Sequence, residues 1–76
     1  MIDTNNLGKK IADARRQMGL TQNALATRVG VTAQAVSKWE TGRSCPDISI
    51  LDEIADTLGI SLFELLGMDE SAKHSS

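Results

Sequence analysis

A chain of 76 residues with 41% apolar side chains has room for one small domain and enough apolar content to fold, which excludes a multidomain arrangement and wholesale disorder. Its single cysteine, Cys45, excludes a disulfide scaffold. No run approaches the length of an apolar membrane span and no signal-peptide pattern is present, so a cytoplasmic protein is expected. The net charge of −2 argues against a uniformly basic nucleic-acid binder, but it conceals a split: residues 1–44 carry seven Lys and Arg against three acids, and residues 45–76 one lysine against seven. The first part can face a polyanion while the second turns away, although plain solvated surface fits the same pattern.

Residues 1–5 read as a flexible tail. The first helix is expected over 6–18, where Leu7, Ile11, Ala14 and Met18 fall within about 60° of arc at 100° per residue. Gly19 followed by Leu20 stops it, as a left-handed glycine with a following apolar residue does. Thr21 is a good N-cap for a second helix over 21–29, with Leu25, Ala26 and Val29 as its stripe. Gly30-Val31 ends that helix, and Thr32 caps a third over 32–41, which Gly42 closes. Pro46 and Asp47 start a fourth over 47–58. It has Leu51, Ile54, Ala55 and Leu58 on one side and Asp52, Glu53 and Asp56 on the other. Gly59-Ile60 stops it, and Ser61-Leu62-Phe63-Glu64 is a capping box opening a short fifth helix over 61–66. Residues 68–76, after Gly67, read as a polar tail. The chain is therefore expected to be all-α, with five short helices in one domain over 6–67 and no strand pattern or internal repeat.

The informative stretch is Thr21 to Gly42. Two helices joined by about three residues around Gly30, with the small Ala26 allowing close crossing, meet the requirements of a helix-turn-helix. In the third helix Ala35, Val36 and Trp39 share the arc that must face the core. Ala33, Gln34, Ser37, Lys38 and Thr41 lie opposite. That outer face is short, polar and free of acid, as a groove-reading face needs to be.

These features, taken in order, resemble the phage-repressor/Cro-like helix-turn-helix family, also called XRE-like. The resemblance rests on Arg15 with Gly19-Leu20-Thr21-Gln22, Leu25-Ala26, Val29-Gly30-Val31-Thr32, Val36 to Arg43, Pro46, Leu51, Ile54-Ala55, Leu58 to Ser61 and Leu65-Leu66. It implies a five-helix lambda-repressor-like domain that binds operator DNA, usually as a homodimer on a near-palindromic site. It also implies phosphate contacts from Gln22, Thr32, Thr41 and Arg43, base contacts from Ala33, Gln34, Ser37 and Lys38, and an ion pair between Arg15 and Glu40 that orients the third helix. Side-chain chemistry pairs Gln34 with adenine, Lys38 with guanine and Ala33 with a thymine methyl. The sequence departs from the family at Thr41, where asparagine or glycine is common, and at Ala33, where glutamine or serine is common.

No nucleophile–base set, phosphate loop or metal-ligand spacing can be assembled, so an enzyme, a cofactor and a small-molecule substrate are not expected. Trp39 reads as core, His74 as part of a polar tail and Cys45 as an isolated thiol. Phe63, beside Leu62 and Leu66 on the last helix, suggests a contact surface for a homodimer or a further domain, unless it packs on its own chain. The function these readings favour is a sequence-specific transcriptional regulator, and specifically a repressor. The alternative is a protein-interaction module such as the antitoxin of a toxin–antitoxin pair.

Overall fold

The computed structural model describes residues 4–67. Within them the chain forms α1 (Thr4–Gln17), α2 (Gln22–Val29), α3 (Ala33–Glu40), α4 (Ile48–Leu58) and α5 (Leu62–Leu65), with no strand among the described residues. The expected tail over 68–76, His74 included, lies outside the described residues, as do residues 1–3.

Local chemistry accounts for the helix ends. The side chains of Thr21, Thr32, Asp47 and Ser61 each accept from the backbone N–H three residues on, relieving one of the free donors that open every helix. The expected stop at Gly30 is a left-handed residue (φ 84°), and the amides of Gly30 and Val31 both return to the Ala26 carbonyl, at 2.8 and 2.9 Å. A side chain at that φ would strain the turn between α2 and α3. The glycines expected to end the other helices share the positive φ.

One core gathers the inward stripes. Leu7 and Ile11 from α1, Leu25 and Ala26 from α2, Val36 and Trp39 from α3, Leu51 and Ile54 from α4, and Leu65 from α5 form a single buried cluster. Leu20, Val31 and Ile60 from the turns pack at its margin. Small residues let helices approach closely, and Ala26 is buried on α2, which packs against α3 and α4.

Two expectations about α1 are corrected. The helix begins at Thr4, so residues 4 and 5 belong to it and not to a tail. The first turn is tied down, because Asn5 lies against Gly42 beyond the end of α3, and a chain end held by packing orders itself. Met18, expected on the buried stripe, is 50% exposed. The helix stops at Gln17, so the 100° repeat no longer applies there, and Leu20 takes the inward place after the turn.

Candidate nucleic-acid interface

α3 has two faces of opposite character. Val36 and Trp39 are buried in the core. Gln34 and Lys38 are exposed and Ser37 is half-buried. Ala33, expected among the outward residues, is half-buried and packs against the core margin. Its methyl stands at the helix entrance beside the turn from α2, so only part of it is open. Thr32 caps the helix, its Oγ1 accepting from the Ala35 N–H at 3.1 Å, a bond that leaves the hydroxyl proton unused.

The acid that closes α3 points the other way. Glu40 is the sole carboxylate between Ala14 and Pro46, and its side chain is only 6% exposed. Arg15 Nε donates to Glu40 Oε2 at 2.6 Å and Nη2 of the same guanidinium to Oε1 at 3.0 Å. Nη1 donates to the Leu20 carbonyl at 2.8 Å. The two-pronged geometry is what a guanidinium and a carboxylate make best. Burial alone would push the Glu40 carboxyl up, but the bonds from Arg15 and Gln22 hold it below the ordinary glutamate range. The bond to Glu40 raises Arg15, against a smaller effect of burial. The pair joins α1 to the end of α3 and removes the negative charge that would otherwise stand beside Lys38 and Arg43. Arg16, Arg28, Lys38 and Arg43 remain exposed. Arg16 meets Asp13 at 3.6 Å on the surface of α1, and Arg28 borders a shallow groove with Asp52, Glu53 and Asp56 of α4. That leaves Lys38 and Arg43 as the cations at the end of α3.

Two residues expected on phosphates have internal duties as well. Gln22, the first residue of α2, donates from Nε2 to Glu40 Oε1 at 3.0 Å. Its second amide hydrogen and the first free N–H groups of α2 remain at the helix start, a position suited to an anion. Thr41 differs more from expectation. Its hydroxyl donates back to the Ser37 carbonyl at 3.0 Å, a bond that uses the one proton it could give to a phosphate. Arg43 is exposed just beyond Gly42. Leu62 on α5 and Leu66 just past its end are half-buried against the core, whereas Phe63 is 64% exposed.

Sequence reasoning missed the bond between Gln22 and Glu40 and the place of Gly8. Gly8 is buried in the interior of α1 against the main chain of Trp39 and Glu40. A glycine inside a helix is unfavourable by about 1 kcal/mol relative to alanine, which is itself a signal of close approach.

Five short helices, with the second and third joined by three residues and the third presenting an acid-free face, define a helix-turn-helix domain. A family model described as "Helix-turn-helix" matches residues 11–65, and the chain belongs to that family, in its XRE-like form. An uncharacterized HTH-type transcriptional regulator of Sinorhizobium fredii is 40% identical over 60 residues, covering 79% of this chain and 78% of that protein. The P22 c2 repressor, solved in complex with a synthetic operator, superposes with a TM-score of 0.78 at 32% identity, covering 83% of this chain and 96% of that one. Human endothelial differentiation-related factor 1 is 36% identical over 59 residues, 78% of this chain, and the chain spans 40% of its length.

Proposed function

We propose that the protein is a sequence-specific DNA-binding transcriptional regulator, a repressor, that reads the major groove of double-stranded DNA with α3. The observation that carries this reading is the outward face of that helix. Gln34, Ser37 and Lys38 reach solvent without a carboxylate among them, while the one nearby acid, Glu40, is turned inward and neutralised. A helix enters a major groove about 12 Å wide, and amide and ammonium groups there meet base edges. Gln34 pairs with adenine N6 and N7, Lys38 with guanine O6 and N7, and the open part of Ala33 lies by a thymine methyl. Gln22, Thr32 and Arg43 hold the flanking phosphates. Thr41 joins them only if its hydroxyl leaves the Ser37 carbonyl.

Operator recognition by a repressor-like relative supports a homodimer on a near-palindromic operator, with recognition helices one DNA turn, about 34–36 Å, apart. The exposed Phe63, flanked by Leu62 and Leu66, is the surface proposed to join the two copies. Among the described residues no helix is long and apolar enough to cross a membrane, in keeping with a regulator working in the cytoplasm.

The test begins with selection of bound sites from a random DNA library, which yields the half-site and its spacing. On the selected operator, Gln34→Ala and Lys38→Ala each lower affinity by about 1–3 kcal/mol and relax preference at one base position. Equal loss on operator and random DNA for Gln34→Ala refutes its reading role. No DNA binding even at low salt refutes the function as a whole and favours an interaction module.

A further inference from the structure

A β-carbon added at Gly8 would lie 2.8 Å from the Glu40 carbonyl oxygen and 2.9 Å from its carbonyl carbon, and nearer still to the Trp39 carbonyl oxygen. These are main-chain atoms of the last turn of α3. They cannot swing aside as the end of a side chain can, so the two helices would have to part. Gly8 and Arg15 are seven residues apart and share one stripe of α1. Arg15 draws the Glu40 carboxylate toward α1, and bare Gly8 decides how near the Glu40 main chain comes. One turn earlier, Asn5 lies over Gly42, its Cγ 3.1 Å from where a β-carbon on Gly42 would stand. The first two turns of α1 thus form a seat for the end of α3 and the residues just after it.

We propose that Gly8 is a positioning residue for DNA reading: the absence of its β-carbon sets the stand-off of the C-terminal end of α3, and with it the tilt at which the helix presents Gln34 and Lys38. The proposal rests on the DNA-reading function proposed above. Restoring ordinary contact around an added methyl moves that end of α3 by on the order of 1 Å. Base contacts are lost at that scale, because they require a held geometry. Phosphate contacts from a long, exposed side chain such as Arg43 tolerate it. Filling the space at Gly8 therefore lowers discrimination between sequences more than it lowers binding as such.

The experiment compares the full chain with Gly8→Ala and Asn5→Ala, each checked for helicity by circular dichroism in the cold. Affinity is measured for the selected operator and for mixed DNA at one salt concentration, and amide resonances are recorded without DNA. For Gly8→Ala the expected result is a roughly ten-fold or greater loss on the operator with less than about a two-fold change on mixed DNA. Resonance shifts should concentrate at Lys38 to Arg43. Asn5→Ala loosens the same seat without inserting a group, and shifts the affinity ratio in the same direction by a smaller factor. It decides the matter should Gly8→Ala not fold. An unchanged ratio in each variant that folds, or equal loss on both DNAs, overturns the proposal. If the wild type prefers no sequence, the DNA-reading function is what has failed; the resonances of residues 38–43 then still show whether Gly8 places α3, and unmoved resonances overturn that too.

Discussion

Replacing Glu40 by glutamine keeps the length of the side chain and removes the charge that holds Arg15. The guanidinium in the native protein makes three bonds, two to Glu40 and one to the Leu20 carbonyl. The two side chains are 11% and 6% exposed, so the figure of about 0–1 kcal/mol for a solvated surface pair does not apply. Removing one partner of a buried pair leaves an uncompensated charge and costs about 3–5 kcal/mol. Glutamine still offers one carbonyl oxygen, which places the expected loss near the lower end, about 3 kcal/mol. A domain this size has roughly 4–11 kcal/mol in all, at about 0.05–0.15 kcal/mol per residue, so a quarter or more of the stability goes with one charge. Trp39 is the sole tryptophan, buried and adjacent to Glu40, and its fluorescence reports unfolding in urea. With a slope of about 1 kcal/mol per molar, the midpoint falls by roughly 3 M. Arg15→Met combined with Glu40→Leu recovers part of the loss, because apolar side chains of similar size remove both charges together. Recovery is incomplete, since the Leu20 carbonyl and the Gln22 amide lose their partners. A loss below about 1 kcal/mol for Glu40→Gln, or a double variant no more stable than the single one, refutes the reasoning.

Acid sensitivity follows from the same pair. Glu40 and Asp47 both titrate below their ordinary values. Glu40 does so because its bonds to Arg15 and Gln22 outweigh burial, and Asp47 chiefly because it accepts from the Ile50 N–H and then from Ser49. A carboxyl depressed in the folded state contributes stability that is complete above its unfolded pKa. That contribution is lost as pH falls through the folded value. Urea midpoints should therefore be level above about pH 5 and decline below it, with a shallower decline in Glu40→Gln; equal slopes in the two proteins count against the assignment. Arg43→Ala should weaken operator and random DNA alike and reduce the salt dependence by about one phosphate contact, read from affinities over a salt series. A selective loss on the operator would move Arg43 to the base-reading set. Phe63→Glu should lower self-association in sedimentation and operator affinity together, and no change in either removes the dimer surface.

How much of this was legible in the chain depends on how far each determinant reaches. The starts of α2 to α5 were, because Thr21, Thr32, Asp47 and Ser61 act on an amide three residues away, and so was the stop at Gly30, which acts on its own backbone. The inward stripes were also legible, since a helix repeats its facing every few residues whatever lies opposite. So was the acid-free outward face of α3, with Gln34 and Lys38 exposed. Met18 was misjudged because periodicity does not say where the periodic element stops. The start of α1, the approach at Gly8 and the second duty of Gln22 were set by neighbours that the linear order does not name, whereas the Thr41 hydroxyl bonds only four residues back, to Ser37. Arg15 and Glu40 are 25 residues apart, Gln22 and Glu40 18. Short-range stereochemistry decides which segments are helices and which side of each is apolar. The distance and tilt at which the helices meet are decided only when side chains from distant segments compete for one volume. On that volume depends how α3 is set in the fold and which of its polar groups are left facing out.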